Sequence, residues 1–418
     1  MNKSTKRPLG TNEKVFWVLD QITTTHFAVV AELDGNLTDN AWRQALDIAQ
    51  QRHPNLSVQI SGNEYSNLHF NPVEDCSIPL RVVWTQNSES WNSVLEEELS
   101  MPIDTTIAPL ARAVLIQQPG KSVFMFISNH SIGDGMSVAL VIRDILTVLS
   151  GRTIEKLLPL SPLDELAGAA LKEIKSEKPE GFEQAKNNLK PRLNVNVERL
   201  KLSSILTQKL IERAKIEKTT VHGALSAVIV LALKSRNDAA LQGKPVRILH
   251  PLSARSTLGL GDDFSLLNSI VTLPYQPLPQ QTFWDFAREV RQGIAPTQNP
   301  DWVRADITAT QGLFSNEMDI TAVGDALRQG TGHEVLLTNL GLINFASDFG
   351  NLQLKSLWGP MVLTAHPFAQ TIGVVTFNGE LTLSLTGLVP SQSLLEAVVK
   401  IVEKVCSTQR DLQTGDFY

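Results

Sequence analysis

The clearest local signal in the sequence is residues 371–387, TIGVVTFNGELTLSLTG. Asn378-Gly379 suits a tight turn that needs positive φ at both central positions, so the segment predicts two strands joined as a hairpin. A second hairpin is read at 111–117 (ARAVLIQ) and 122–128 (SVFMFIS), separated by Pro119-Gly120. Within it, Phe124-Met125-Phe126 reads as buried strand with side chains alternating between faces. A turn at 129–135 follows directly, and then an apolar helix at 136–149 that Gly151 stops. Strands and helices therefore mix within one stretch of chain, which predicts an α/β (α+β) architecture.

Other elements fit the same class. Trp42, Ala45, Leu46 and Ala49 recur at helical spacing behind Thr38 or Asp39 as a cap, and Pro54 closes that helix. Helices are also expected at 204–216, at 219–235 behind Thr219 or Thr220, at 283–292 behind Thr282, and at 391–407, with a strand at 246–250. A chain of 418 residues is long enough for two or three folding units or one double-lobed body. Pro159, Pro162, Pro179 and Pro191 punctuate a stretch rich in Lys and Glu, with helical character at 164–176. This stretch reads as a crossover at 161–196 between a first lobe, 1–160, and a second, 197–418. No repeat or low-complexity tract is found.

Charge and cysteine content narrow the partners. Lys plus Arg is 37 against 43 for Asp plus Glu, a formal charge of −6, so no net positive field favours nucleic acid. Cys76 and Cys406 form no metal or redox motif and fit a reducing compartment. The basic, polar N-terminus does not read as a secretory signal. The longest apolar segment, 223–233, falls short of the ~20 residues needed to span a membrane. It is expected to be a buried helix, and the protein is expected to be cytoplasmic.

Several chemical routes lack their residues. Gly120-Lys121-Ser122 has Leu115 where a phosphate-binding loop needs Gly, and Gly259-Leu260-Gly261 runs into Asp262-Asp263, which would repel a pyrophosphate. His333-Glu334 has no second His at zincin spacing, and no G-x-S-x-G elbow occurs. What remains is His130, between a strand and a helix, sharing its turn with Asp134, Gly133 and Gly135. An imidazole at a strand end can project into a cleft and move a proton at neutral pH, while the glycines let the chain turn sharply beside it. Asp134 could orient that ring or pin the turn through an arginine. His130 and Asp134 supply only two metal ligands, and no other histidine completes a spacing, so no metal site is expected. Trp358-Gly359-Pro360 and His366-Pro367 read as shapers of loops or strand ends, and His222 as structural.

Strand, then Asn129-His130-Ser131-Ile132-Gly133-Asp134-Gly135, then helix resembles the H-x-x-x-D-G signature of the superfamily that contains chloramphenicol acetyltransferase, condensation domains of nonribosomal peptide synthetases, plant BAHD acyltransferases and polyketide-associated acyltransferases of the phthiocerol dimycocerosyl transferase type. Ala41-Trp42-Arg43-Gln44-Ala45-Leu46 with Arg52-His53-Pro54-Asn55-Leu56 is similar to a stretch near the start of these proteins. Leu337-Thr338-Asn339-Leu340-Gly341 is similar to an S/T-N-x-G segment of the polyketide-associated and condensation branches. Asp348-Phe349-Gly350 is similar to the opening of the BAHD D-F-G-W-G motif, but Asn351 stands where that branch has Trp. Asn129 stands where many relatives carry His. The polyketide-associated or condensation branch fits better.

The resemblance implies two acetyltransferase-like lobes, each a mixed sheet flanked by helices, with a channel between them. It implies His130 as general base for an alcohol or amine acceptor that attacks an acyl thioester directly, the donor being acyl-coenzyme A or an acyl phosphopantetheine arm on a carrier protein. A hydroxyl acceptor is the first expectation; an amide-forming condensation enzyme and a catalytically silent carrier- or ligand-binding protein are the alternatives. Asp134, Gly135, Arg255 and Asp348 would be structural at the site, with Arg255 paired to Asp134 or Asp348 and Asp348 favoured. Asn129, Ser131, Thr338, Asn339 and Gly341 would touch substrate. The backbone near Gly135 and the Asn339 side chain are candidate oxyanion donors. No bound cofactor is expected.

Overall fold

A computed structural model describes residues 6–62, 67–86, 91–171, 192–236, 241–314, 320–389, 393–407 and 412–417. Two mixed sheets organise these residues. The first has five strands in the order Gln353–Val362, Phe27–Asp34, Lys121–Ser128, Ala111–Gln118 and Leu80–Trp84, antiparallel except for the last pair. The second has six, in the order Asn268–Tyr275, Val246–Ser253, Val335–Ile343, Gln370–Phe377, Glu380–Gly387 and Asn196–Leu202, with parallel pairing on both sides of Val335–Ile343. A small antiparallel sheet of Arg7–Pro8, His69–Pro72 and Val58–Ser61 lies apart from both.

The alternation along the first sheet separates two cores. Phe124 and Phe126 join Val29, Ala31 and Leu33 against helices Asp39–Arg52 and Gly135–Leu149. Met125 and Ile127 point the other way with Ala28 and Val30, onto Leu95 and Leu99 of helix Asn92–Ser100. In the second half, helix Val221–Ser235 is apolar all round because it is covered on every side, by the sheet and by helices Phe283–Ile294 and Leu394–Ser407. Thr38, Ser203, Thr220 and Thr282 each cap a helix by accepting a backbone N–H on the side-chain oxygen.

The two halves exchange material. Strand Gln353–Val362, from the second half, completes the first sheet beside Phe27–Asp34. Its ladder is interrupted between Trp358 and Met361, where Gly359-Pro360 bulges toward the other lobe. Room for the bulge comes from missing side chains: a Cβ on Gly135 would lie 2.2 Å from Pro360 Cγ, and one on Gly373 would lie 2.3 Å from the Pro360 carbonyl oxygen. Glu32 makes a second tie. It accepts from Trp91 Nε1 at 2.8 Å, Trp358 Nε1 at 2.9 Å and Arg199 at 3.2 Å, and the Arg199 guanidinium lies 3.6 Å above the Trp91 ring.

The expected hairpins and helices are present, with the 246–250 strand extended to Val246–Ser253 and the last helix starting at Leu394. Of the 161–196 crossover, 161–171 and 192–196 are described and 172–191 lie outside the described residues; of the helical stretch expected at 164–176, the described part, 164–171, holds only the end of a short helix, Leu163–Leu166, followed by a turn. Among the described residues no single helix is long and apolar enough to cross a membrane, and the pair that passes the test together is bent by 105°.

Candidate active site

His130 leaves the last residues of strand Lys121–Ser128 as the chain turns toward helix Gly135–Leu149. The Asn129 N–H donates to the Leu110 carbonyl at 2.9 Å, and Asn129 Oδ1 accepts from the Ser131 N–H at 2.9 Å, so the turn is braced from inside. Asn129 and Ser131 are fully buried and are not among the residues lining the cavity described below. Expected to touch substrate, they instead hold the backbone on either side of His130. The His130 ring stacks on Phe16 at 4.0 Å and 11° and tilts against Phe27 at 4.5 Å. Its Nδ1 is buried inside the turn.

His130 borders space. A cavity of about 430 Å³ is lined by His130, Gly135, Thr338 and Pro360 together with Phe16, Leu19, Leu336 and Val362. The volume lies in the range of small-molecule sites, and the mostly apolar wall with few polar groups is their usual character. Burial pushes the imidazole down to about 4 against the opposing pull of Asp134 and of the His130 and Gly133 carbonyls. The ring is therefore neutral near pH 7 and holds a free lone pair, the state a general base requires.

Asp134 turns away from the ring. It caps helix Gly135–Leu149, its Oδ1 accepting from the Ser137 N–H at 2.8 Å and Ser137 Oγ lying 2.9 Å from it. Two further bonds reach the second lobe: Arg255 Nη2 donates to Oδ1 at 3.1 Å, and the Leu267 N–H donates to Oδ2 at 3.0 Å. Ser137 Oγ bonds the Ser265 carbonyl at 2.7 Å and accepts from Arg255 at 2.8 Å. The expectation that Arg255 pairs with Asp348 is thus corrected to Asp134. Asp348 lies on an exposed turn, where its Oδ1 accepts from the Gly350 N–H at 2.8 Å, and the D-F-G likeness carries no contact with the site. An exposed carboxylate there gains little from a buried guanidinium it would have to follow inward.

The S/T-N-x-G segment divides. Thr338 is in the cavity wall, but Asn339 and Gly341 are not among the residues lining it. Gly341 takes φ +73° at a bulge between Asn339 and Leu342, and Asn339 Oδ1 accepts the Gly341 N–H at 2.8 Å, so these two shape the strand. Of the candidate oxyanion donors, the backbone at Gly135 borders the cavity. Gly133 allows close packing from across the lobes, since a Cβ there would lie 2.7 Å from the Phe264 ring. Pro360 and His366, read from sequence as loop shapers, both line the cavity, and Trp358 instead packs beside Glu32.

Three helices of the wall were not anticipated: Thr11–Ile22, which supplies Asn12, Val15, Phe16 and Leu19; Pro300–Phe314, which supplies Asp306 and Leu313; and Ile320–Gly330, which supplies Leu327. The sequence carried a signal for two of them. Val15, Leu19 and Ile22, and Val303, Ile307 and Phe314, recur at helical spacing. Nothing local marks which of their faces would meet His130. Among the described residues no cluster of three or more metal-ligating side chains occurs.

Comparison with known proteins agrees with this geometry. A family model, phthiocerol/phthiodiolone dimycocerosyl transferase C-terminus, matches residues 191–259. Tyrocidine synthase 3 of Brevibacillus parabrevis is 25% identical over 158 residues, covering 36% of this chain and 2% of that protein. Malpinin synthetase of Mortierella alpina is 28% identical over 167 residues, again about a third of this chain, 37%, and only 2% of the synthetase. Polyketide synthase associated protein 5 from Mycobacterium tuberculosis superposes with a TM-score of 0.68 at 17% identity, over 98% of this chain and 100% of that one. The first condensation domain of the CDA synthetase superposes with a TM-score of 0.72 at 15% identity, over 100% and 99%. Two mixed sheets in this arrangement therefore make up the condensation-domain, chloramphenicol-acetyltransferase-like fold, and the resemblance of the chain to that superfamily holds.

Proposed function

We propose that this chain transfers an acyl group from a thioester to a hydroxyl or amine acceptor, with His130 as general base. The observation that carries the reading is that His130 lines a cavity walled by residues of both halves of the chain, with burial holding its imidazole well below the ordinary range. In the proposed step His130 Nε2 takes the acceptor proton as the acceptor oxygen or nitrogen attacks the thioester carbonyl. The carbon–sulfur bond then breaks, and the protonated imidazole returns its proton to the leaving thiolate. Positive charge on His130 during this step is eased by the nearby Asp134 carboxylate, which raises the proton affinity of the ring without contacting it. Backbone N–H groups at the Gly135 helix start are suited to the developing oxyanion. The donor is an acyl-coenzyme A or a carrier-bound phosphopantetheine thioester, its likeness to synthetase domains supporting the carrier. Ester formation and amide formation use the same base, and the cavity suits both.

Mass spectrometry of products from a panel of acyl thioesters, each offered paired alcohol and amine acceptors, tests the reading. General-base help is worth roughly 10²–10⁴ in rate, so His130→Ala should lower turnover by that factor with circular dichroism unchanged. Undiminished turnover in a folded His130→Ala protein would remove the proposed role. Product only with alcohols or only with amines assigns ester or amide formation.

A further inference from the structure

The cavity that His130 lines also contains polar groups that the proposed acyl transfer does not use. Asp306, on helix Pro300–Phe314, lines it, and no Lys or Arg is among the described lining residues. No cation pairs with Asp306 among the described residues; the group acting on it is the Ile270 N–H at the open edge of the second sheet. Burial pushes this carboxyl up to about 6 against that N–H, so it is mostly ionised at neutral pH and incompletely solvated. Other wall atoms are short of partners as well. Thr272 Oγ1, His333 Nε2 and His366 Nε2 are buried without hydrogen bonds. His333 Nδ1 lies 2.6 Å from the Thr331 carbonyl, which fixes the proton on Nδ1 and leaves Nε2 as a bare acceptor. Among the described lining residues the wall carries these unpartnered polar atoms, one carboxylate and no Lys or Arg; Arg247 and Arg328 stand behind His333 and His366 and are paired with Glu334 and Asp325.

Buried acceptors without donors are costly, and a ligand that brings N–H groups would satisfy them. A carboxylate or phosphate would instead face Asp306 with no cation among the described lining residues to bond it. We propose that the substrate occupying this cavity has an apolar body bearing a protonated amine, and that Asp306 binds that amine. This ammonium is separate from the attacking group, because a protonated amine has no lone pair with which to reach a thioester. The inference deepens the acyltransferase reading by naming the charge of the molecule beside His130. Its test is read by binding, so it succeeds or fails independently of turnover.

Calorimetric titration of the full chain at pH 8 with n-hexylammonium, hexan-1-ol and hexanoate supplies the test. A charge-assisted hydrogen bond in a partly buried site predicts n-hexylammonium binding about 10- to 100-fold tighter than hexan-1-ol. Hexanoate should bind weakest. Asp306→Asn, which keeps shape and removes charge, should bring n-hexylammonium to the level of hexan-1-ol. Hexanoate binding as tightly as n-hexylammonium in the unaltered protein would overturn the proposal with no variant needed. So would a folded Asp306→Asn protein that keeps the full preference.

Discussion

The contact between Asp134 and Arg255 predicts that the helix behind the His130 turn and the second lobe unfold as one unit. The side chains are 10% and 9% exposed for Arg255 and Asp134, so the pair is shielded from solvent screening. In Asp134→Ala three things are lost: the cap on helix Gly135–Leu149, the acceptor for the Leu267 N–H, and the counter-charge for Arg255. A lost cap costs about 0.5–2 kcal/mol and a stranded buried N–H about 1–3 kcal/mol. Leaving one member of a buried ion pair behind costs about 3–5 kcal/mol. These terms overlap, because Arg255 also donates to Ser137 Oγ and to the Asp263 carbonyl, so the expected total for Asp134→Ala is about 3–5 kcal/mol. Arg255→Ala should cost about 2–4 kcal/mol, since it strands the carboxylate but leaves the cap in place. The double variant should be less destabilised than the sum of the singles by at least about 1 kcal/mol, the signature of a direct pair. Urea unfolding followed by tryptophan fluorescence and by circular dichroism measures all three. Strictly additive costs, or an Arg255→Ala loss under about 1 kcal/mol, would refute the reasoning. Separation of the two probes' transitions in the variants alone would show the lobes coming uncoupled.

Two further outcomes follow from the site. Because burial lowers His130 to about 4, the acid limb of kcat/KM should bend near pH 4 to 5, well below the ordinary imidazole range. A bend near pH 6.5 in a pH–rate profile would mean that the free ring is solvated and not held as described. Gly135→Ala places a methyl 2.2 Å from Pro360 Cγ and 3.3 Å from Leu340 Cδ2, so either the bulge or the helix start must move. A loss of about 1–3 kcal/mol in thermal or urea unfolding, with turnover reduced along with it, is expected. A fully stable and active Gly135→Ala protein would show that the two lobes do not press together at this point.

The local elements were largely legible because their causes are local. Asn378-Gly379 makes its turn with φ of +49° and +79°, Thr220 caps the helix it precedes, and Phe124 and Phe126 part from Met125 as strand pleating requires. The position of His130 between strand and helix was equally readable, since strand end, turn glycines and helix cap lie within a few residues. The partner of Arg255 was not. Asp134 and Asp348 were both open from sequence, and the choice depends on which carboxylate the fold buries, a property set by packing between segments more than a hundred residues apart.

Residues 129–135 by themselves determined where an imidazole would stand and that a helix would start behind it, because backbone geometry over a single turn decides both. Only the tertiary structure decided what that imidazole faces. Phe16 lies on the ring from a helix near the N-terminus, Pro360 closes on Gly135 from a strand that has crossed into the first sheet, and Asp306 enters the same wall from the second half. Each arrives through contacts remote in sequence, and a cavity is the space those contacts fail to fill, which leaves no periodicity in the chain to read.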